Sequence, residues 1–231
     1  MNILIATPAY ERMVHWEYMV SVVKLIEALR QVNVPVTLAA SGGALLDRNR
    51  NLHASQCLNG QYTHLLFIDA DMAFEPSLVL KMLRLGQPFV GALYPFRASH
   101  GRFVGQSSLI LEDGKISVRD GFVRSRYVGT GVLLLERAVL EKMRDGYPEL
   151  YLPKGDPWYA GAGESGPILQ CFTALQGSDG VFEGEDASFC SRWVGLDGEI
   201  WANVDETIEH YGQQRFSGRA LDALRSADSQ G

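Results

Sequence analysis

Cysteine is scarce and scattered: Cys57, Cys171 and Cys190 are the only three in 231 residues, and none forms a CxxC pair. That set supports neither a disulfide framework nor a thiolate zinc site, and reads as reduced, buried thiols of a cytoplasmic protein. Positive charge is also short. Lys and Arg number 21 against 27 Asp and Glu, a formal charge of −6. No broad footprint for nucleic acid or an anionic membrane is expected, although a few placed cations or a helix N-terminus can still hold one small anion. Long apolar runs are missing too. Residues 78–96 are interrupted by Lys81, Arg84 and Pro88, so no transmembrane segment is expected. The opening MNILIATPAY has neither the basic n-region nor the cleavage site of a secretory signal.

What remains is a globular composition, 46% hydrophobic and 21% charged, with enough apolar residues to fill the core of one domain. NILIA reads as a buried strand, punctuated by TPAYE. Apolar positions at helical spacing (Met19, Val22, Val23, Ile26, Leu29) predict a helix over 16–30. A strand over 34–40, a helix over about 46–58 and the buried strand HLLFID follow. This alternation argues for an α/β fold with a parallel sheet and right-handed crossovers.

Downstream, the pattern predicts a helix over 76–85, a turn at Gly86-Gln87-Pro88, a strand at FVGALY and a hairpin turning at Asp113-Gly114. A strand over 126–136 and a helix over 138–144 come next. Residues 146–166, rich in Gly, Pro and aromatics, read as a functional loop. A strand over 171–175, a helix over 186–194, a strand over 199–204 and the segment IEHYG complete a domain spanning 1–215, with 216–231 as a tail.

HLLFIDADMAFEP carries the sharpest local signal. Two carboxylates, Asp69 and Asp71, stand two residues apart at the end of a buried strand, where alternation sends both to one side and turns Ala70 away. Ligands of open α/β sheets collect at that edge, and paired carboxylates there suit Mg²⁺ or Mn²⁺. The same residues also fit a solvated turn or a helix cap. In EGEDASF, Glu185 and Asp186 open a helix; they read either as dipole-stabilised caps or as a general base for an acceptor hydroxyl. His210, after the last strand, can add an imidazole to a carboxylate-held metal. Thr7-Pro8-Ala9-Tyr10 can wrap a base, and Arg48 on LDRNRN can meet a phosphate or base edge.

Taken in order along the chain, TPAY, RNRN, FIDADM, YVGTGVLLLERAVL, GEDASF and His210 resemble a GT-A type, family 2-like glycosyltransferase carrying a DXD motif. That resemblance implies a single GT-A (Rossmann-like) domain, with a mostly parallel central sheet flanked by helices and a small antiparallel acceptor-side region. It implies nucleotide contacts from Thr7, Pro8, Ala9, Tyr10, Arg48, Asn51, Asp69 and Ala70, and a Mn²⁺ or Mg²⁺ ion at Asp69, Asp71 and His210. Asp186 is then the base, Glu185 its understudy, and Gly129, Thr130 and Gly131 border the acceptor. The donor is a nucleoside-diphosphate sugar, UDP-sugar favoured, and the acceptor a glycan, a protein or a lipid-linked sugar. A retaining, mannosyltransferase-like enzyme using a GDP-sugar and a non-catalytic nucleotide-sugar-binding module are the alternatives. A pyrophosphorylase fits less well, because TPAYERMV has one arginine and no glycine.

Overall fold

The computed structural model describes residues 1–97, 101–176, 180–212 and 214–228. Among the described residues, ten strands build the two larger sheets: β1 (Ile3–Ala9), β2 (Val36–Gly42), β3 (His64–Ile68), β4 (Met72–Phe74), β5 (Phe89–Ala92), β6 (Phe122–Ser125), β7 (Val132–Glu136), β8 (Ile200–Asn203), β9 (Ile208–Tyr211) and β10 (Arg215–Gly218). Seven helices accompany them: α1 (Trp16–Gln31), α2 (Leu46–Asn59), α3 (Ser77–Leu85), α4 (Arg137–Gly146), α5 (Pro157–Gly161), α6 (Glu185–Gly195) and α7 (Ala220–Asp228).

The central sheet has seven strands in the order β2-β1-β3-β7-β5-β8-β6. β1, β2 and β3 are parallel, as the opening alternation predicts, and β5 and β8 run with them; β7 and β6 are reversed. The sheet is therefore mostly parallel. A smaller antiparallel sheet, β10-β9-β4, carries the chain beyond β3. Alternate residues of β1 go to opposite faces. Ile3 and Ile5 pack with Leu25, Leu29 and Val79 of α1 and α3; Leu4 and Ala6 pack with Ala54, Leu140 and Phe189 of α2, α4 and α6.

Local chemistry explains the boundaries. Gly86, at φ 63°, closes α3 in the left-handed conformation that glycine adopts without cost. Asp113 and Gly114, both at positive φ, turn the small hairpin of Leu111–Glu112 and Lys115–Ile116 as expected. Three readings need correction. Residues 126–131 are irregular and the strand starts only at Val132, while β6 precedes them. Cys171 and Phe172 form a turn between short strands Ile168–Leu169 and Leu175–Gln176. Residues 216–228, read as part of a tail, belong to the fold: β10 pairs with β9, and α7 buries Leu221 and Leu224 against the core. All three cysteines are buried and unpaired, with thiols pushed up to about 12 by burial. No helix among the described residues is long and apolar enough to cross a membrane.

Candidate active site

β3 ends at Ile68, so Asp69-Ala70-Asp71 is a turn and not the last residues of a strand. The Met72 N–H closes it on the Asp69 carbonyl at 3.1 Å. Three other segments pin it: Asp69 N–H donates to Gly131 O, His15 N–H to Ala70 O and Tyr211 N–H to Asp71 O, each at 2.9 Å. Strand alternation does not apply within a turn, and the two carboxylates diverge.

Asp71 faces His210, with Oδ2 3.7 Å from Nε2. His210 Nδ1 lies 2.8 Å from the Pro95 carbonyl, which can only accept, so Nδ1 carries the proton and Nε2 offers a lone pair. Arg97 reaches both groups, donating from Nε to His210 Nε2 at 2.8 Å and from Nη2 to Asp71. Burial pushes the Asp71 carboxyl up, but the Arg97 charge beside it more than reverses this and holds it below the usual range. Its other oxygen, Oδ1, is buried without a hydrogen-bond partner. A carboxylate with an orphaned oxygen beside an imidazole lone pair fits Mg²⁺ or Mn²⁺, ions that take one or two protein ligands and complete their shell with phosphate and water. Among the described residues no group of three His, Cys, Asp or Glu side chains is placed to hold a metal. Asp69, expected as a third ligand, is turned elsewhere.

Asp69 meets Arg50, whose Nη2 lies 3.0 and 3.3 Å from its two oxygens. Arg50 is 1% exposed, rests over the Phe67 ring and comes within 3.8 Å of Glu185 Oε1. Burial raises the Asp69 carboxyl above the usual range against the opposing pull of Arg50; burial, then the Asp186 charge, does the same to Glu185. Sequence reasoning missed Arg50, although a signal existed: it shares the i, i+4, i+7, i+8 face of α2 with buried Ala54, Cys57 and Leu58.

The two residues chosen from that segment do other work. Arg48 is exposed and lies over the Trp158 ring at 5.3 Å. Asn51 is buried, and its Oδ1 accepts the Phe172 N–H at 2.8 Å, so it braces the 171–172 turn and has no free face for a nucleotide.

Asp186 sits in the first turn of α6, with Oδ1 accepting the Ala187 N–H at 2.7 Å and Oδ2 the Tyr127 hydroxyl at 2.6 Å. The glycines expected to admit an acceptor ring are filled from within. A Cβ at Gly131 would lie 2.6 Å from Met72 Cε and 2.7 Å from the Tyr94 ring, and one at Gly129 would collide with the Tyr94 hydroxyl. Tyr94 also stands edge-on to His210, with centroids 5.3 Å apart. Burial, then the charges of Asp69 and Asp186, drives its hydroxyl far above the ordinary range. One tyrosine thus lies beside the Asp71–His210 pair and within the field of the carboxylate cluster.

A cleft of about 780 Å³ runs over the turn, lined by Pro8, Tyr10, Asp69, Ala70, Asp71 and Arg97 among others. A second, of about 470 Å³, lies at the ends of β1 and β2, where Ala9, Ser41, Gly42, Asn49 and Trp158 line it; Val14 borders both. Thr7 lines neither, being fully buried with its hydroxyl bonded to Tyr18. In residues 146–166, read as a functional loop, Tyr159 is core, packed with Leu52 and Ile168, while Trp158, Gly161 and Ala162 border the second cleft.

No family model matches the sequence, and a search of curated proteins finds no match. Among solved structures the chain is similar to A197 from STIV, with a TM-score of 0.51 and 17% identity over 92% of this chain and 86% of that one. It is also similar to a UDP-glucose pyrophosphorylase complexed with UDP-glucose, at a TM-score of 0.46 and 8% identity over all of both chains. S. aureus TarS 1–349 gives a TM-score of 0.45 and 12% identity over 87% of this chain and 58% of that one. The likeness to A197 is one of fold: this chain has the same mixed α/β architecture.

Proposed function

We propose that this chain is a cation-dependent glycosyltransferase of GT-A type, moving a sugar from a nucleoside-diphosphate sugar, UDP-sugar favoured, to an acceptor hydroxyl with inversion. The observation that carries the reading is the division of labour at one turn. Asp71 goes to His210 and Asp69 to the Arg50–Glu185 cluster, both at the floor of the 780 Å³ cleft beyond the ends of β1 and β3.

In this reading Asp71 and His210 hold a Mg²⁺ or Mn²⁺ ion, which when bound steadies the growing charge of the departing diphosphate. Pro8, Tyr10 and the Ala70 backbone border the donor. Arg50 keeps Asp69 aimed at the cleft, where its free lone pairs accept from donor hydroxyls. Asp186 takes the proton of the attacking acceptor hydroxyl as the new carbon–oxygen bond forms and the sugar–diphosphate bond breaks. The Tyr127 O–H fixes the orientation of that carboxylate. A second candidate base is favoured by one feature: burial raises the Glu185 carboxyl above the usual range, the direction that strengthens a carboxylate as a base.

The test is release of nucleoside diphosphate from a panel of UDP- and GDP-sugars with Mn²⁺ or EDTA. Release requiring Mn²⁺, abolished in Asp71→Ala and lowered about 100-fold or more in Asp186→Asn, is expected. A Glu185→Gln variant that loses more than Asp186→Asn moves the base to Glu185. Tight binding without release makes the chain a binding module, and unchanged release by Asp71→Ala removes the proposed centre.

A further inference from the structure

The Arg97 guanidinium lies between the two side chains assigned to the cation. Its Nε donates to His210 Nε2 and its Nη2 to Asp71 Oδ2. The single imidazole lone pair is one a divalent cation would use, and a guanidinium and a metal ion cannot share it; the Arg97 charge also occupies the carboxylate that the ion would meet. The backbone leading to Arg97 is held: Val104 N–H donates to Tyr94 O at 2.9 Å and Phe96 N–H to Arg102 O at 3.0 Å. The side chain has room. It is half exposed, it lines the cleft beside Asp69 and Asp71, and its stem passes Gly212, where a Cβ would come within 3.2 Å of Arg97 Cδ.

We propose that Arg97 is an internal competitor for the cation site. It holds Asp71 and His210 in register while no ion is bound, then yields them and turns its charge to the anionic diphosphate in the cleft. Resting on the cation-dependent reading above, this makes the two ligands help each other. An anion that draws Arg97 away opens the pair to the ion, and by reciprocity the ion frees Arg97 for the anion. An unaccompanied cation meets a paired site and binds weakly.

Binding of Mn²⁺ alone, followed by the paramagnetic resonance signal of the free ion, tests this without turnover. Arg97→Ala, and Arg97→Gln, which keeps the stem beside Gly212, are expected to bind Mn²⁺ at least about fivefold more tightly than the unaltered chain, the worth of displacing one partly exposed ion pair. Adding His210→Ala to either should abolish the gain. A residue that merely braced the loop would leave affinity unchanged or weaken it. Equal or weaker Mn²⁺ binding by both Arg97 variants overturns the role of Arg97 while leaving the cation centre standing. No Mn²⁺ binding by any of these proteins, with UDP or without, sinks the centre and Arg97's role together.

Discussion

Arg48 and Arg50 stand two positions apart on α2, roughly 200° around the helix, and their surroundings differ accordingly. Arg50 is enclosed and faces two carboxylates, and its Nε and Nη1 are buried without hydrogen-bond partners; Arg48 lies on an exposed ring. Removing a buried ion's partner is costly. Arg50→Ala is expected to lower stability by about 3 kcal/mol, and Arg48→Ala by about 0.5 kcal/mol or less, both read from urea unfolding. Asn51→Ala should cost about 1–3 kcal/mol, because the Phe172 N–H loses its acceptor, while UDP affinity stays unchanged; a weakened affinity at full stability would restore Asn51 to the nucleotide site. RNRN marks a polar helix start without saying which of its members faces in. The apolar residues one and two turns later mark the face of Arg50, yet Asn49 and Asn51 are buried as well, and only Arg48 stays exposed.

At the scale of elements, the alternation of strands and helices was legible because apolar runs and helical periodicity alternate cleanly through the first seventy residues. The Asp69–Asp71 turn was not, because apolar residues flank it on both sides and a strand that ends at Ile68 looks like one that ends at Asp71. Where β7 starts was hidden for a related reason. The pattern from Arg126 onward is strand-like, but Gly129 and Gly131 are there to clear Tyr94 and Met72. Gly131→Ala is therefore expected to overpack this corner by about 1–3 kcal/mol, measured by thermal unfolding.

α2 also carries a pH dependence. His53 bonds Gln56 and Ser41 at 2.9 Å each, tying the helix to the end of β2. Burial, opposed by the Gln56 bond and aided by the Arg50 charge, lowers its pKa from 6.5 to about 4. Between those values the unfolded chain binds a proton that the folded chain refuses. The stabilisation is whole above pH 6.5 and falls by roughly 3 kcal/mol as pH drops towards 4. The urea midpoint should decline across this window, and His53→Gln should flatten the decline; an equal slope in the variant would remove His53 as its source.

For the whole molecule, sequence conveyed the class of sheet but not its order. VLLLE reads as a buried strand in either direction, so nothing local reveals that β7 runs backwards between β3 and β5. That insertion matters, because it delivers Gly131 O to the Asp69 N–H and helps fix the turn. The C-terminal segment is rich in Ser, Asp and Gly, yet Phe216, Leu221 and Leu224 are enough to seat β10 and α7. Of the long-range pairings, Asp71 and His210, read as ligands of one ion, lie 3.7 Å apart, whereas Asp69 with Arg50 and Asp186 with Tyr127 join segments whose meeting only the folded sheet arranges.

Since the proposed function requires Asp71 and His210 to share one ion that anchors a diphosphate, calorimetric titration of UDP in Mn²⁺ and in EDTA is the most direct measurement. The unaltered chain should bind UDP at least about tenfold more tightly with Mn²⁺, a gain of about 1.4 kcal/mol, and Asp71→Ala and His210→Ala should each lose that gain. An undiminished Mn²⁺ effect in both variants, or UDP binding of equal strength in EDTA, would contradict the account.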